Sequence, residues 1–212
     1  VALVGTNNLS TAIIILGIAV IVVFVSDKRY MQFVWIAAAG AGMMALFLGM
    51  ESYRLERIAI WKNPEAYEKG YQTIQGLYAI GSGGLFGRGF GESIQKLGFV
   101  PEAQNDMIFS IICEELGLFG AVLLTILFVF LLYRLMFIAQ NAPDLLGSLI
   151  VTGIFAHIAL QVILNIAVVL NVIPTTGVTL PFISYGGTSI LFLMTEMGIA
   201  LNVSRQIRIK DN

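Results

Sequence analysis

Six carboxylate and amide side chains crowd residues 101–115: Glu102, Gln104, Asn105, Asp106, Glu114 and Glu115. Asp106 stands where a loop gives way to a long apolar run, and Glu114 and Glu115 fall a few turns further along it. A charge at the centre of a bilayer helix costs roughly 2.5–3.5 kcal/mol on insertion scales. Carboxylates kept at or within a span are therefore functional candidates by default. The chemistry open to such a group is proton abstraction, and Asp106 is the candidate base. Pro101 suits a first helical turn, so a helix is expected to start just after it. That helix would set Glu102 and Asp106 on one face, with Ser110, Cys113 and Glu114 roughly continuing it and Glu115 pointing away. The same two acids would also suit the positive end of the helix dipole. Glu114 and Glu115 could equally pair with arginines inside a bundle.

The elements that must position these groups are membrane helices. The chain is 58% hydrophobic and 12% charged, against about 25% charged residues in a soluble domain. Its mean hydropathy is +0.87. A net charge of −1 argues against a nucleic-acid partner, and a single cysteine excludes an internal disulfide. The expected fold is an all-α integral membrane protein with five transmembrane helices, near 9–25, 31–50, 107–138, 146–171 and 184–204, in a single membrane domain. The chain begins with Val, and no basic leader precedes the first span, so it reads as a fragment with more membrane protein upstream. Lys28, Arg29, Arg134, Arg205, Arg208 and Lys210 place 26–30, 139–145 and the C-terminus on the cytoplasmic side. Loops 51–106 and 172–183 are then outside. An external loop of that length is expected to be functional, and its segment 71–80 to form a short amphipathic helix at the interface.

Other motifs flank the acidic stretch. Gly81-Ser-Gly-Gly-Leu-Phe-Gly-Arg-Gly-Phe-Gly91 lacks the register of a nucleotide loop. It reads as a tight turn needing positive φ, or as a backbone cradle for an anionic head group with Arg88 and Lys96 nearby. Pro174 to Ser189 carries two prolines, three glycines and the hydroxyls of Ser184, Tyr185, Thr188 and Ser189. Irregular backbone at membrane depth survives only under protein or beside a wet cavity, so a re-entrant loop is expected. His157, Gln161 and Asn165 recur every four residues on one helix face, a pattern that favours interhelical hydrogen bonds. Glu196 is expected to face the protein interior.

In three blocks the chain resembles the SEDS family (shape, elongation, division and sporulation proteins), in particular its FtsW and SpoVE branch. They are Gly70-Tyr-Gln72 with Gly84-Leu-Phe-Gly87; Pro101 to Asp106 followed by Glu114-Glu-Leu-Gly117; and Asn165 with Pro174 and Thr179 to Gly187. The resemblance implies the last five spans of a ten-span fold in the bacterial cytoplasmic membrane. It implies a peptidoglycan glycosyltransferase that polymerises lipid II, serving cell division, elongation or sporulation beside a class B penicillin-binding protein, the transpeptidase. The donor would be glycan on undecaprenyl diphosphate, whose leaving diphosphate needs either positive side chains or a bound divalent cation, Mg or Mn. The family's catalytic aspartate falls on Asp106. Many members have His-Thr-Asp there, where this chain has Gln104-Asn105-Asp106. Some carry a Lys in the Pro-Thr-x-Gly turn, where this chain has Thr176. Substrate contacts are expected from Gln72, Arg88, Lys96, Glu102, Gln104, Asn105, Glu114, Gln161, Asn165, Ser184, Tyr185, Gly186 and Gly187. Arg54 and Arg57 are further external cations for the diphosphate. A lipid flippase and a scaffold for a partner transpeptidase are other classes that the same features allow.

Overall fold

The computed structural model describes residues 4, 8–26, 31, 34, 35, 38–40, 42 and 52–207, and every regular element among them is helical. The α-helices are α1 (Leu9–Ser26), α2 (Ser52–Lys62), α3 (Tyr71–Gly83), α4 (Ile108–Asn141), α5 (Leu145–Val169) and α6 (Gly187–Arg205). Three of the expected spans are matched by α4, α5 and α6, which are long and apolar enough to cross a membrane; α1 is shorter but apolar. The span expected at 31–50 lies largely outside the described residues.

Helix ends follow local chemistry. Asn8 Oδ1 accepts from Thr11 N at 3.1 Å and opens α1. Asp144 Oδ1 accepts from Gly147 N at 3.1 Å and opens α5. Both are N-caps that satisfy a free helix donor. Asn171 takes φ 55° just after α5, and Pro174 prevents its continuation.

The chain divides into two compact units. The first holds residues 1–46, 129–160 and 187–212. Small residues let its helices approach closely: a Cβ on Gly17 of α1 would come within 2.6 Å of Leu160 Cδ1 on α5. The face expected to carry interhelical bonds does so here, since His157 Nδ1 meets both Glu196 oxygens at 2.9 and 3.1 Å.

The second unit holds residues 47–128 and 161–186, and it carries the acidic stretch. Its α3 realises the short helix expected at 71–80. Thr73, Gly76, Ala79 and Gly83 form the buried face. A Cβ on Gly76 would strike Met107 Cε at 2.3 Å, and one on Gly83 would strike the Cys113 carbonyl at 1.9 Å. The helix therefore lies with its backbone against the start of α4.

Two expectations about α4 change. The helix starts at Ile108 and not after Pro101, because residues 101–107 form turns and Glu102 sits at φ 53°. The shared helical face of Glu102 and Asp106 does not exist. Nor is the span continuous, since Gly117 interrupts it at φ 67°, ψ −166°. A break frees carbonyls before it and N–H groups after it. The glycine loop takes up four such groups. Arg88 N and Gly89 N donate to the Glu114 and Glu115 carbonyls at 3.0 Å each, and Leu118 N and Phe119 N donate to the Gly84 and Leu85 carbonyls at 2.9 and 3.0 Å. The fit is backbone to backbone: a Cβ on Gly87 (φ 79°) would lie 2.1 Å from the Glu115 carbonyl, and one on Gly117 would lie 2.3 Å from Gly87 N.

Gly117→Ala combines a forbidden dihedral with that clash and should cost about 1–3 kcal/mol or more. Gly198→Ala, in open space on α6, should be neutral or stabilise by up to about 1 kcal/mol. Thermal unfolding in detergent, compared for the two variants, checks this.

Candidate active site

The acidic stretch builds two separate carboxylate centres. In the first, Asp106 is left lightly engaged. Its side-chain Oδ1 accepts one hydrogen bond, from Gln72 Nε2 on α3 at 3.3 Å. Burial raises its pKa above the ordinary aspartate value; nearby Glu102 adds to the rise, while a backbone hydrogen bond, Gln72 and the Arg57 charge oppose it. Asp106 is half-buried, so it keeps an open side.

Its backbone, by contrast, is fixed on three successive carbonyls. Tyr185 N donates to the Gln104 carbonyl at 2.8 Å. Ser184 Oγ donates to the Asn105 carbonyl at 2.6 Å. Asn165 Nδ2 donates to the Asp106 carbonyl at 2.7 Å and to the Val178 carbonyl at 2.8 Å. Asn165 is 0% exposed. It and Ser184 therefore stand behind the aspartate, as groups that position it. Ser184 Oγ also accepts from Leu180 N at 2.7 Å, closing its own turn. Within that turn Phe182 is held at φ 64°, an uncommon and costly conformation for a bulky residue.

Around this centre Glu102 accepts from the Asn105 side-chain amide. Gln104 is exposed. The Tyr185 side chain is 74% exposed, so its ring is free although its backbone is not. Arg57 Nη1 on α2 donates to the Thr175 carbonyl at 2.8 Å, which ties the Pro174 turn to a cation near Asp106. Trp61 Nε1 ties α2 to the Asn171 carbonyl at 3.0 Å. Gln161 Oε1 and Asn165 Oδ1 are buried acceptors without a partner among the described residues. Gly186 is half-buried, and Gly187 opens α6 with nothing within 4 Å of a built Cβ. The side chain of Arg54 lies outside the described residues.

The second centre is built on Glu114 and Glu115. Glu114 is buried and accepts from Ser93 Oγ at 2.5 Å, Gln95 N at 3.2 Å, Ile94 N at 3.3 Å and Ser82 Oγ at 3.4 Å. Arg88 Nη1 approaches it at 3.7 Å. Glu115 accepts from Lys96 Nζ at 2.7 Å, Gly91 N at 3.0 Å and Ser93 N at 3.4 Å. Arg88 and Lys96 thus come from the segment between α3 and α4 to meet these acids, not from within a helix bundle. Their charge is matched here, about two helical turns along α4 from Asp106. Ser93 is the partner that sequence reasoning missed. Its signal was the spacing Ser93-Ile-Gln-Lys96, in which the hydroxyl accepts from Lys96 N at 3.2 Å.

No three His, Cys, Asp or Glu side chains gather as a metal cluster among the described residues. Asp106 and Glu102 are the carboxylates close enough to feel each other's charge at the first centre. One or two carboxylates completed by phosphate oxygens is a usual magnesium arrangement.

Comparison with known proteins gives this geometry a context. Residues 1–209 match the FtsW/RodA/SpoVE family, described as cell cycle proteins. Stage V sporulation protein E of Bacillus subtilis (strain 168) is 45% identical over 204 residues, covering 95% of this chain and 56% of that protein. A probable peptidoglycan glycosyltransferase FtsW of Coxiella burnetii is 40% identical over 202 residues, covering 93% of this chain and 54% of the relative. Among solved structures, one described under the structural coordination of polymerization and crosslinking by a peptidoglycan synthase complex aligns with TM-score 0.76 at 30% identity, over 97% of this chain and 57% of that chain. A crystal structure of a mutant of the rod shape determining protein RodA of Thermus thermophilus aligns with TM-score 0.62 at 28% identity, over 96% and 52% of the two chains. The chain spans about half the length of the curated relatives it matches. With a match along nearly all its length, this multi-pass membrane chain belongs to the FtsW/RodA/SpoVE family.

Proposed function

We propose that this chain carries the catalytic half of a peptidoglycan glycosyltransferase, which polymerises lipid II at the outer face of the bacterial cytoplasmic membrane. The observation that carries the reading is the state of Asp106: a carboxylate with a rigid backbone, one long side-chain hydrogen bond and an open side. A structural carboxylate has its lone pairs filled, as Glu114 does. A base keeps one for the substrate.

In this reading the acceptor is the sugar 4-hydroxyl of lipid II, and the donor is a glycan on undecaprenyl diphosphate. Asp106 takes the hydroxyl proton as the oxygen attacks the anomeric carbon and the diphosphate leaves. A base aligned within about 2.6–3.2 Å contributes roughly 10²–10⁴-fold. Inversion at that carbon needs no covalent intermediate on the protein. The leaving diphosphate needs positive charge nearby. Arg57, whose charge reaches Asp106, is the candidate for that role at this centre, while Arg88 and Lys96 lie at the second centre. Glu102 is the residue available to a divalent cation, which would neutralise charge on the diphosphate when bound. A class B penicillin-binding protein is the proposed partner, since a structural relative is described in a complex that polymerises and crosslinks peptidoglycan.

Asp106→Asn in the full-length protein with its partner should lower lipid II polymerisation at least about a hundredfold. Polymerisation from purified lipid II near the parent rate would remove Asp106 as the base.

The raised pKa gives two further outcomes. Activity should fall as pH drops through a value above the ordinary aspartate pKa of 3.8, because the base must be ionised. The sign for stability is opposite. A carboxyl whose folded pKa is raised contributes stability below its unfolded pKa and loses it as pH rises through the folded pKa. At neutral pH, therefore, Asp106→Asn should melt no lower than the parent. A clearly lower melting temperature, read by scanning fluorimetry, would mean that the charged form holds the fold together.

A further inference from the structure

The glycine loop that repairs the break in α4 also carries large apolar side chains that touch little. Phe86 is 82% exposed and Phe90 87%, and Leu85 between the loop and α4 is exposed as well. These positions are not free to swing. The carbonyls of Gly84 and Leu85 are bound by Leu118 N and Phe119 N, and Arg88 N and Gly89 N are bound to α4 above the break. The loop tip therefore stands beside Leu118 and Phe119, which are themselves exposed.

The sequence of α4 says what surrounds that level. From Leu116 to Tyr133 there is no charged residue, and this run is bounded by Glu115 on one side and Arg134 on the other. At 1.5 Å per residue it is about 27 Å long, close to the roughly 30 Å of a hydrocarbon core. One boundary of the core then falls at Glu115, and residues 108–115 stand above it against α3. The loop tip is held at that boundary. Arg88 lies between Phe86 and Phe90 in sequence, and Lys96 is tied to Glu115 at 2.7 Å. Aromatic side chains at such a boundary suit the level where acyl chains meet head groups.

We infer that residues 84–90 form a lipid anchor: Leu85, Phe86 and Phe90 insert into the bilayer interface at the Glu115 end of α4. The anchor fixes the height of the external loop above the acyl chains. This rests on the membrane-spanning reading and not on the proposed reaction, so a failed polymerisation assay leaves it intact.

Nitroxide labels at Phe86→Cys and Phe90→Cys test it, with buried Cys113 left in place and the protein in phosphatidylethanolamine–phosphatidylglycerol vesicles. Leu123→Cys on α4 and Glu65→Cys in the loop serve as lipid and water references. Collision with oxygen and with a water-soluble nickel chelate is read by electron paramagnetic resonance. Both loop labels should favour oxygen severalfold more than the Glu65 label and approach the Leu123 label. A loop label that matches Glu65, or one shielded from both reagents by covering protein, overturns the inference.

Discussion

The backbone of an interrupted helix in apolar surroundings must find its hydrogen bonds from other parts of the chain, and the second unit is arranged around this requirement. Gly117 is buried, so an orphaned carbonyl or N–H beside it needs a partner from the chain itself. The break at Gly117 exposes groups on both of its sides, and the glycine loop meets them with backbone of its own. Glycine at 87 and 117 lets the two backbones come this close, since a Cβ at either would clash with the other segment. Once the loop is seated, its two cations fall beside Glu114 and Glu115, and the chain is carried back along α4 to the aspartate. The turns at 101–106 obey the same rule by another route, with Tyr185, Ser184 and Asn165 covering three carbonyls in succession.

Two carboxylates eight residues apart are held in opposite ways. Glu114 is saturated by hydroxyls, amides and a guanidinium. Removing one partner from such a group leaves a desolvated charge, which is costly. Asp106 is the reverse case. Its main chain is immobilised while its carboxylate takes only a long side-chain hydrogen bond and one from backbone, and burial makes it more basic than a solvated aspartate. Rigidity without saturation is what a proton acceptor needs, because alignment and an available lone pair must coexist.

Much of this was legible in the sequence. Runs of apolar residues gave α4, α5 and α6 nearly to their ends, since hydropathy reports directly on burial in lipid. The glycine spacing foretold positive φ, which Gly84, Gly87, Gly89 and Gly91 all adopt. The start of α4 was misread because Pro101 permits a helix without requiring one; a turn stabilised by Asn105 and Glu102 competes locally and wins. The break at Gly117 was hidden inside a continuous apolar run, since its cause lies some thirty residues upstream in the chain. The pairing of Arg88 and Lys96 with the glutamates was hidden for the same reason. Charge and spacing say that cations are near, but only the folded loop says which acids they meet.

Asn165 offers a last consequence. Its side-chain amide has two hydrogens, and the structure uses both, one on the carbonyl of Asp106 and one on that of Val178. A single nitrogen thus rivets two loops that are distant in sequence. The Pro174–Ser184 turn and the aspartate are geared to one another, so a displacement of that turn is carried directly into the backbone at Asp106.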